Sequence, residues 1–141
     1  MWQKTFDSRL KDWNNLRNQV QNLPVDQALS QVDQWWAMTP WSAYYLHWDD
    51  KNIWPDPWQL LDENIYCDLA RGLGIMYTLM FMSRPELADA RLQEYNNQNI
   101  VLACDEKYIL NSSDLSIVNN NHKIKKTSHC IYLQELQKKF I

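Results

Sequence analysis

The sequence predicts an α+β domain in which an N-terminal helical hairpin precedes a helix that begins at a cysteine and packs on a small antiparallel sheet. Apolar residues recur every three or four positions over residues 2–22, 26–37 and 66–82, which is the spacing of helices with one buried face. Two short apolar runs follow at residues 100–104 and 107–111. Only two acidic residues separate these runs, so they predict a β-hairpin.

The length of 141 residues indicates a single domain spanning 1–141, with the helical hairpin over residues 1–40 and the cysteine helix and sheet over residues 41–141. Fourteen basic and 17 acidic residues give a net charge of −3, which argues against nucleic acid as a partner. No apolar run is long enough to span a membrane, and no secretory signal follows Met1. Three cysteines, an odd number, favour a reduced, cytoplasmic setting without disulfides.

Aromatic residues are unusually frequent, with eight tryptophans and seven tyrosines beside only two glycines. They can build a core, or a surface for a protein partner or for self-association, and solvent exposure separates these alternatives. We expect four tryptophans to be mostly buried, because each falls on an apolar stripe or in the proline turn at residues 54–58: Trp13, Trp36, Trp54 and Trp58. Trp54 and Trp58 are also the candidate binding residues.

The remaining segments are predicted from shorter patterns. Residues 41–48 are bulky and favour an extended segment, whereas residues 85–95 predict a short helix with proline in its first turn. Residues 116–118 and 124–126 predict strands on either side of an asparagine-rich loop. Residues 128–141 fit either a strand or a helix.

Cys67 is the first candidate for chemistry, because it stands at or near the start of the helix predicted over residues 66–82. Unpaired N–H groups and the helix dipole at such a position favour a thiolate, which is the nucleophilic form of cysteine. The alternative is a buried cysteine that serves only as a small apolar side chain.

A tryptophan–proline segment precedes this cysteine helix, and two strands follow it. The residues that carry the pattern are Trp54, Pro57, Cys67, Asp68, Leu73-Gly74-Ile75, Asn99-Ile100-Val101-Leu102 and Leu110-Asn111. This order resembles the bacterial and phage transglutaminase-like cysteine proteinases, part of the papain-like group, over about residues 45–112. The tryptophan- and asparagine-rich composition also resembles small proteins of marine tailed bacteriophages, which would place the protein in the host cytoplasm or the virion.

The resemblance implies a histidine base at the position of Asn99 and an orienting residue at the position of Asn111. An asparagine cannot accept a proton near neutral pH, and general-base catalysis is worth roughly 10²–10⁴-fold in rate. The resemblance therefore implies a degenerate catalytic site on an interaction or assembly module that uses no cofactor. We expect Asn111 to lie behind Asn99, because a hairpin centred on the two acidic residues pairs Ile100 with Asn111.

Two other functions are open at this point. One is an active thiol hydrolase or transferase, with Cys67 as the nucleophile and His129 or His122 as the base. The other is a tryptophan-rich protein-binding domain unrelated to that family. His47, followed by two aspartates, is a weak metal-site pattern that no second cluster joins, so no metal site is expected.

Overall fold

The computed structural model describes residues 2, 4–112, 118–119 and 124–140. The described residues form five α-helices and one five-stranded sheet, which confirms the α+β prediction. The α-helices are α1 Phe6–Val20, α2 Val25–Ala37, α3 Pro57–Glu63, α4 Asp68–Met82 and α5 Leu133–Phe140. The strands are β1 Arg91–Tyr95, β2 Gln98–Ala103, β3 Tyr108–Leu110, β4 Val118–Asn119 and β5 Cys130–Tyr132.

The sheet is antiparallel throughout, with the strand order β4-β3-β2-β1-β5. Its central hairpin has the predicted register, since Val101 pairs with Leu110 and Ala103 pairs with Tyr108. The turn contains no glycine, yet Asp105 and Glu106 adopt positive φ angles of 54° and 68°. These are the left-handed conformations that a tight hairpin turn between two right-twisted strands requires.

The N-terminal helical hairpin is also confirmed, although α1 begins later than predicted. The side chain of Thr5 caps the helix by accepting a hydrogen bond from the backbone N–H of Ser8 at 3.2 Å. Pro24 separates α1 from α2. Trp2 lies before the helix and is buried by its ring contacts with Trp35, 4.5 Å away, and with Tyr66.

Helix α4 is the centre of the domain, because 12 of its 15 residues are buried. Its two glycines let neighbouring elements approach closely. A Cβ at Gly72 would lie 2.5 Å from Leu92 Cδ1 of β1, and a Cβ at Gly74 would lie 2.4 Å from Trp36 Cζ3 of α2. The sheet and the helical hairpin therefore pack on different sides of the same helix.

One hydroxyl group in α4 serves two tryptophans. The indole N–H groups of Trp13 and Trp36 each donate to Thr78 Oγ1 at 2.9 Å, and this hydroxyl donates to the carbonyl of Gly74 at 2.8 Å. The hydroxyl thereby uses its donor and both of its acceptor sites. Three buried polar groups from α1, α2 and α4 are satisfied at one point in the core.

Of the four tryptophans expected in the core, three are confirmed: Trp13, Trp36 and Trp54, with at most 4% of each exposed. The prediction for Trp58 is wrong, since 46% of this residue is exposed. Helix α3 buries Pro57, Leu60 and Leu61, so the helical rotation turns position 58 toward solvent.

The prediction of a helix at residues 85–95 is wrong. Only a 3-10 turn at Pro85–Leu87 forms, and strand β1 follows it. Strand β1 pairs with β2 on one side and β5 on the other, so its ladder hydrogen bonds and its buried Leu92 override the local helical signal.

Three further segments differ from their predictions. Residues 41–48 form a single bridge, from Trp41 to Tyr66, and then enter a 3-10 helix at Trp48–Ile53 rather than a strand. Residues 124–126 are irregular, because the side chains of Arg91 in β1 and of Glu106 in the β2–β3 turn take up the backbone groups of Ile124. Of the strand predicted at residues 116–118, residues 116–117 lie outside the described part of the chain.

The C-terminal segment contains both of its predicted alternatives, since β5 leads directly into α5. Leu133 and Leu136 of α5 are buried in the main core, and the ring of Phe140 packs edge-on against Tyr77 of α4 at 5.6 Å. Within the part of the chain that the structure covers, none of the helices has the length and apolar character needed to cross a membrane.

Candidate functional site

Cys67 is the N-cap residue of α4. Its Sγ accepts a hydrogen bond from the backbone N–H of Ala70 at 3.4 Å, and only 5% of the residue is exposed. The sulfur thus occupies the place that a serine or aspartate oxygen takes in most helix caps. The predicted position at the helix start is therefore observed, and the thiol satisfies one of the free N–H groups there.

Asp68, the first residue of α4, joins the helix to strand β2. Its Oδ2 accepts hydrogen bonds from the backbone N–H of Asn99 at 2.6 Å and from Asn99 Nδ2 at 3.3 Å. Burial raises the pKa of Asp68 above its ordinary value, although the hydrogen bonds from Asn99 and the charge of Arg71 act in the opposite direction.

Asn111 lies behind Asn99, as the hairpin register led us to expect. Asn111 Nδ2 donates to the carbonyl of Asn99 at 2.7 Å and to the carbonyl of Asp68 at 3.0 Å. Its backbone adopts a left-handed φ of 60°, directly after the end of β3. The two asparagines and Asp68 form one hydrogen-bonded unit beside Cys67.

Asp33 of α2 adds a buried carboxylate to this hydrogen-bonded unit, on the side of Asn111. Its Oδ1 accepts the backbone N–H of Asn111 at 2.8 Å, whereas its buried Oδ2 has no hydrogen-bond partner among the described residues. Burial raises the pKa of Asp33, and the hydrogen bond from Asn111 opposes this shift. The sequence analysis missed Asp33; the available signal was a carboxylate beside Val32 on the apolar stripe of α2.

Trp48 covers the unit from the solvent side and connects it to His129. The indole N–H of Trp48 donates to Asn99 Oδ1 at 2.8 Å, and its ring is stacked on His129 with ring centroids 5.5 Å apart. His129 Nδ1 lies 3.4 Å from Glu94 Oε1. The imidazole of His129 therefore contacts the face of the Trp48 ring and the carboxylate of Glu94. Neither Trp48 nor Glu94 was predicted from the sequence as a site residue.

A cleft of about 410 Å³ opens at this point, and its lining includes Cys67, Asp68, Asn99 and His129. A second cleft of about 320 Å³ adjoins it at Leu46 and His47. The structure thus brings three sequence-predicted residues, Cys67, Asn99 and His129, into the lining of this cleft, whereas Asn111 lies behind Asn99 and lines a neighbouring cleft with Arg71.

The other candidates lie elsewhere. Trp54 lines the second cleft and donates its indole N–H to the carbonyl of His47 at 2.8 Å, but Trp58 lines neither cleft. His122 lies outside the described residues. Among the described residues, no group of three or more histidine, cysteine, aspartate or glutamate side chains is arranged to hold a metal ion.

Comparison of the chain with protein-family models, with curated proteins and with solved structures finds no match. The relation to the transglutaminase-like proteinases therefore stays a prediction that rests on the residues themselves.

Proposed function

We propose that the protein is a non-catalytic interaction module that binds a protein partner in the cleft beside Cys67. One observation carries this proposal: every polar group of Asn99, the residue at the expected base position, is already engaged. Its N–H and Nδ2 donate to Asp68, its Oδ1 accepts from Trp48, and its carbonyl accepts from Asn111. A side chain held in this way has neither the basicity nor the freedom to take a proton from a thiol.

The cysteine itself supports the same function. Cys67 Sγ caps the helix through Ala70 and is nearly fully buried, which suits a structural thiol better than an attacking one. The helix N-terminus that would stabilise a thiolate is shared with the carboxylate of Asp68.

We further propose that this module uses a transglutaminase-like scaffold whose catalytic residues have been replaced. The support is the combination of a cysteine at the start of a buried helix, an antiparallel sheet packed on that helix, and asparagines at the two positions where the resemblance implies a base and its orienting residue.

An active thiol hydrolase or transferase is the second candidate, because one observation favours it. His129 lines the same cleft as Cys67, and Glu94 lies beside its Nδ1 as an orienting carboxylate would. The two candidates differ in whether the imidazole and the thiol act on each other.

Peptide-resolved alkylation by iodoacetamide separates these candidates. For the proposed module, Cys67 should react slowly at about pH 6, because its sulfur is nearly fully buried and caps the helix. Cys67→Ser assigns the signal, and His47→Ala serves as the matched control because His47 also lines the cleft. Fast labelling at about pH 6 that is lost in His129→Ala but kept in His47→Ala would overturn the proposal in favour of the enzyme.

Partner binding is tested by selection from a displayed library of random peptides. We expect the selected peptides to bind less tightly to Tyr44→Ala, since Tyr44 lines the cleft and 82% of it is exposed. Met38→Ala is the control, because Met38 is 71% exposed but lies outside the cleft lining. Selected peptides that bind both variants equally would show that the cleft is not the binding surface.

A further inference from the structure

The two clefts beside Cys67 adjoin at Leu46 and His47, and we call their combined surface the groove. Its volumes of about 410 and 320 Å³ are in the range of sites that accept side chains or small ligands. Residues 43–50, between helices α2 and α3, contribute lining residues to each cleft, and Leu46 and His47 line both.

The groove is strongly acidic. Five carboxylates line it: Asp49, Asp50, Glu63, Asp68 and Glu94. Asp68 is already hydrogen-bonded to Asn99 and Glu94 lies beside His129, so contacts to a cation fall chiefly to the exposed Asp49, Asp50 and Glu63. Among the described residues that line it there is no lysine or arginine, and the two histidines are His47 and His129. Arg71 lies beyond Asp68, in a separate cleft that it shares with Trp41, and so does not neutralise the groove as a whole.

Aromatic rings stand beside these carboxylates. Tyr44 and Trp48 line the first cleft, whereas Tyr45 and Trp54 line the second. The face of an aromatic ring attracts a cation, and a guanidinium can stack on it while it donates hydrogen bonds to a carboxylate. The chain already shows the cation–aromatic part of this arrangement nearby, because the guanidinium of Arg71 lies 5.1 Å from the centre of the Trp41 ring while it donates to Thr39.

We propose that the groove binds a basic peptide segment of another protein, with arginine side chains placed between the aromatic rings and the carboxylates. This inference rests on the proposed function and specifies the chemistry of the partner. Exposed carboxylates spread along one concave surface, at Asp49, Asp50 and Glu63, suit several cationic side chains of one extended segment better than a single small cation. The same charges disfavour the phosphate backbone of a nucleic acid.

Fluorescence anisotropy with labelled hexa-arginine and hexa-glutamate tests the charge selectivity. We expect hexa-arginine to bind more tightly than hexa-glutamate, and to weaken as salt is added because exposed charges are screened. The double variant Asp49→Asn/Asp50→Asn should weaken hexa-arginine binding by roughly 2- to 5-fold for each carboxylate removed. Tyr44→Ala should also weaken it by roughly 2- to 5-fold.

The matched control is Asp7→Asn/Asp26→Asn. Asp7 and Asp26 are exposed and lie in first turns of helices, as Asp49 and Asp50 do, but they are outside the groove. The control removes the same net charge, so it should leave hexa-arginine binding unchanged. Equal weakening by both double variants, or equal binding of the two peptides, would overturn the proposal.

Sedimentation of the chain alone adds an independent outcome. Self-association that is lost in Asp49→Asn/Asp50→Asn would make a second copy the occupant and would overturn the proposal of a separate partner. Cys67 alkylation is independent of these readouts. A reactive Cys67 with selective arginine binding would remove the non-catalytic function alone, whereas an inert Cys67 without arginine selectivity would remove only this inference.

Discussion

The backbone N–H of Asn99 donates to Oδ2 of Asp68 across 2.6 Å, and this contact joins the sheet to the first turn of the central helix. Strand β2 thus donates a hydrogen bond to the side chain of the first residue of α4. This bond adds to the N-cap bond that Cys67 accepts from Ala70 within the helix. The position of the cleft depends on this contact, because Cys67 precedes Asp68 and Trp48 is bound to Asn99.

We therefore expect Asp68→Asn to destabilise the protein by about 1.5–3 kcal/mol, the value of hydrogen bonds to a charged group. The amide keeps the shape but replaces one acceptor with a donor that faces the N–H of Asn99. Urea unfolding monitored by circular dichroism measures the change. Asp62→Asn, an exposed carboxylate in α3, is the control, and an equal effect of both variants would argue against the role of Asp68.

Thr78→Val should cost roughly 1–3 kcal/mol for each of the two indole N–H groups that it leaves without an acceptor. Valine fills nearly the same volume, so the loss reports the hydrogen bonds rather than a cavity. Thr78→Ser keeps the hydroxyl and should retain more of the stability. Equal unfolding free energies for the valine and serine variants would contradict the shared-acceptor role.

Trp54→Ala should destabilise the protein by about 3–5 kcal/mol, because it empties a buried site and removes the hydrogen bond to His47. Trp58→Ala changes the same residue type four positions later and should cost about 0.5–1.5 kcal/mol, the value of its edge contact with Phe81. Thermal or chemical unfolding of both variants checks the contrast. Similar losses would mean that α3 packs on the core through position 58 as well.

Asp33→Asn should alter the pH dependence of stability. Because burial raises the pKa of Asp33 in the folded state, the folded protein holds this proton at pH values where the unfolded chain has released it. Its contribution to stability therefore falls as pH rises from the ordinary carboxyl pKa, about 4, through the raised folded value. Asp33→Asn has no carboxyl group to titrate at this position, so the stability of the variant does not fall with pH for this reason.

Unfolding free energies of Asp33→Asn and of the parent protein, measured from about pH 4 to neutral pH, should shift in favour of the variant as pH rises. Asp26→Asn, an exposed carboxylate on the same helix, should show a constant difference from the parent. A difference for Asp33→Asn that does not change with pH would show that Asp33 titrates normally.

The helices and the hairpin register were predictable because they depend on local information. The spacing of Trp13, Leu16 and Val20 marks one helical face, and the symmetry of two apolar runs about Asp105 and Glu106 fixes the pairing. The closeness of Asn99 and Asn111 followed from that register, whereas the closeness of Cys67 and Asn99 was implied by the family resemblance.

The rest depended on contacts between residues far apart in the chain. Strand β1 carries a helical pattern, and it becomes a strand because β2 and β5 pair with both of its edges. The stack of Trp48 on His129 joins residues 81 positions apart, and no local pattern predicts it. Asp33 reads as an ordinary polar residue until Asn111 is placed against it.

The turn between β2 and β3 contains no glycine, and the side chain of one of its residues contacts the segment that precedes β5. At Glu106, with φ of 68°, a glycine would suit the backbone better. Yet Glu106 Oε1 accepts the N–H of Ile124 at 2.8 Å and lies 3.4 Å from Arg91 Nη2. The side chain at the hairpin tip thus holds Ile124 and Arg91, so a glycine at position 106 would relax the backbone but remove both contacts.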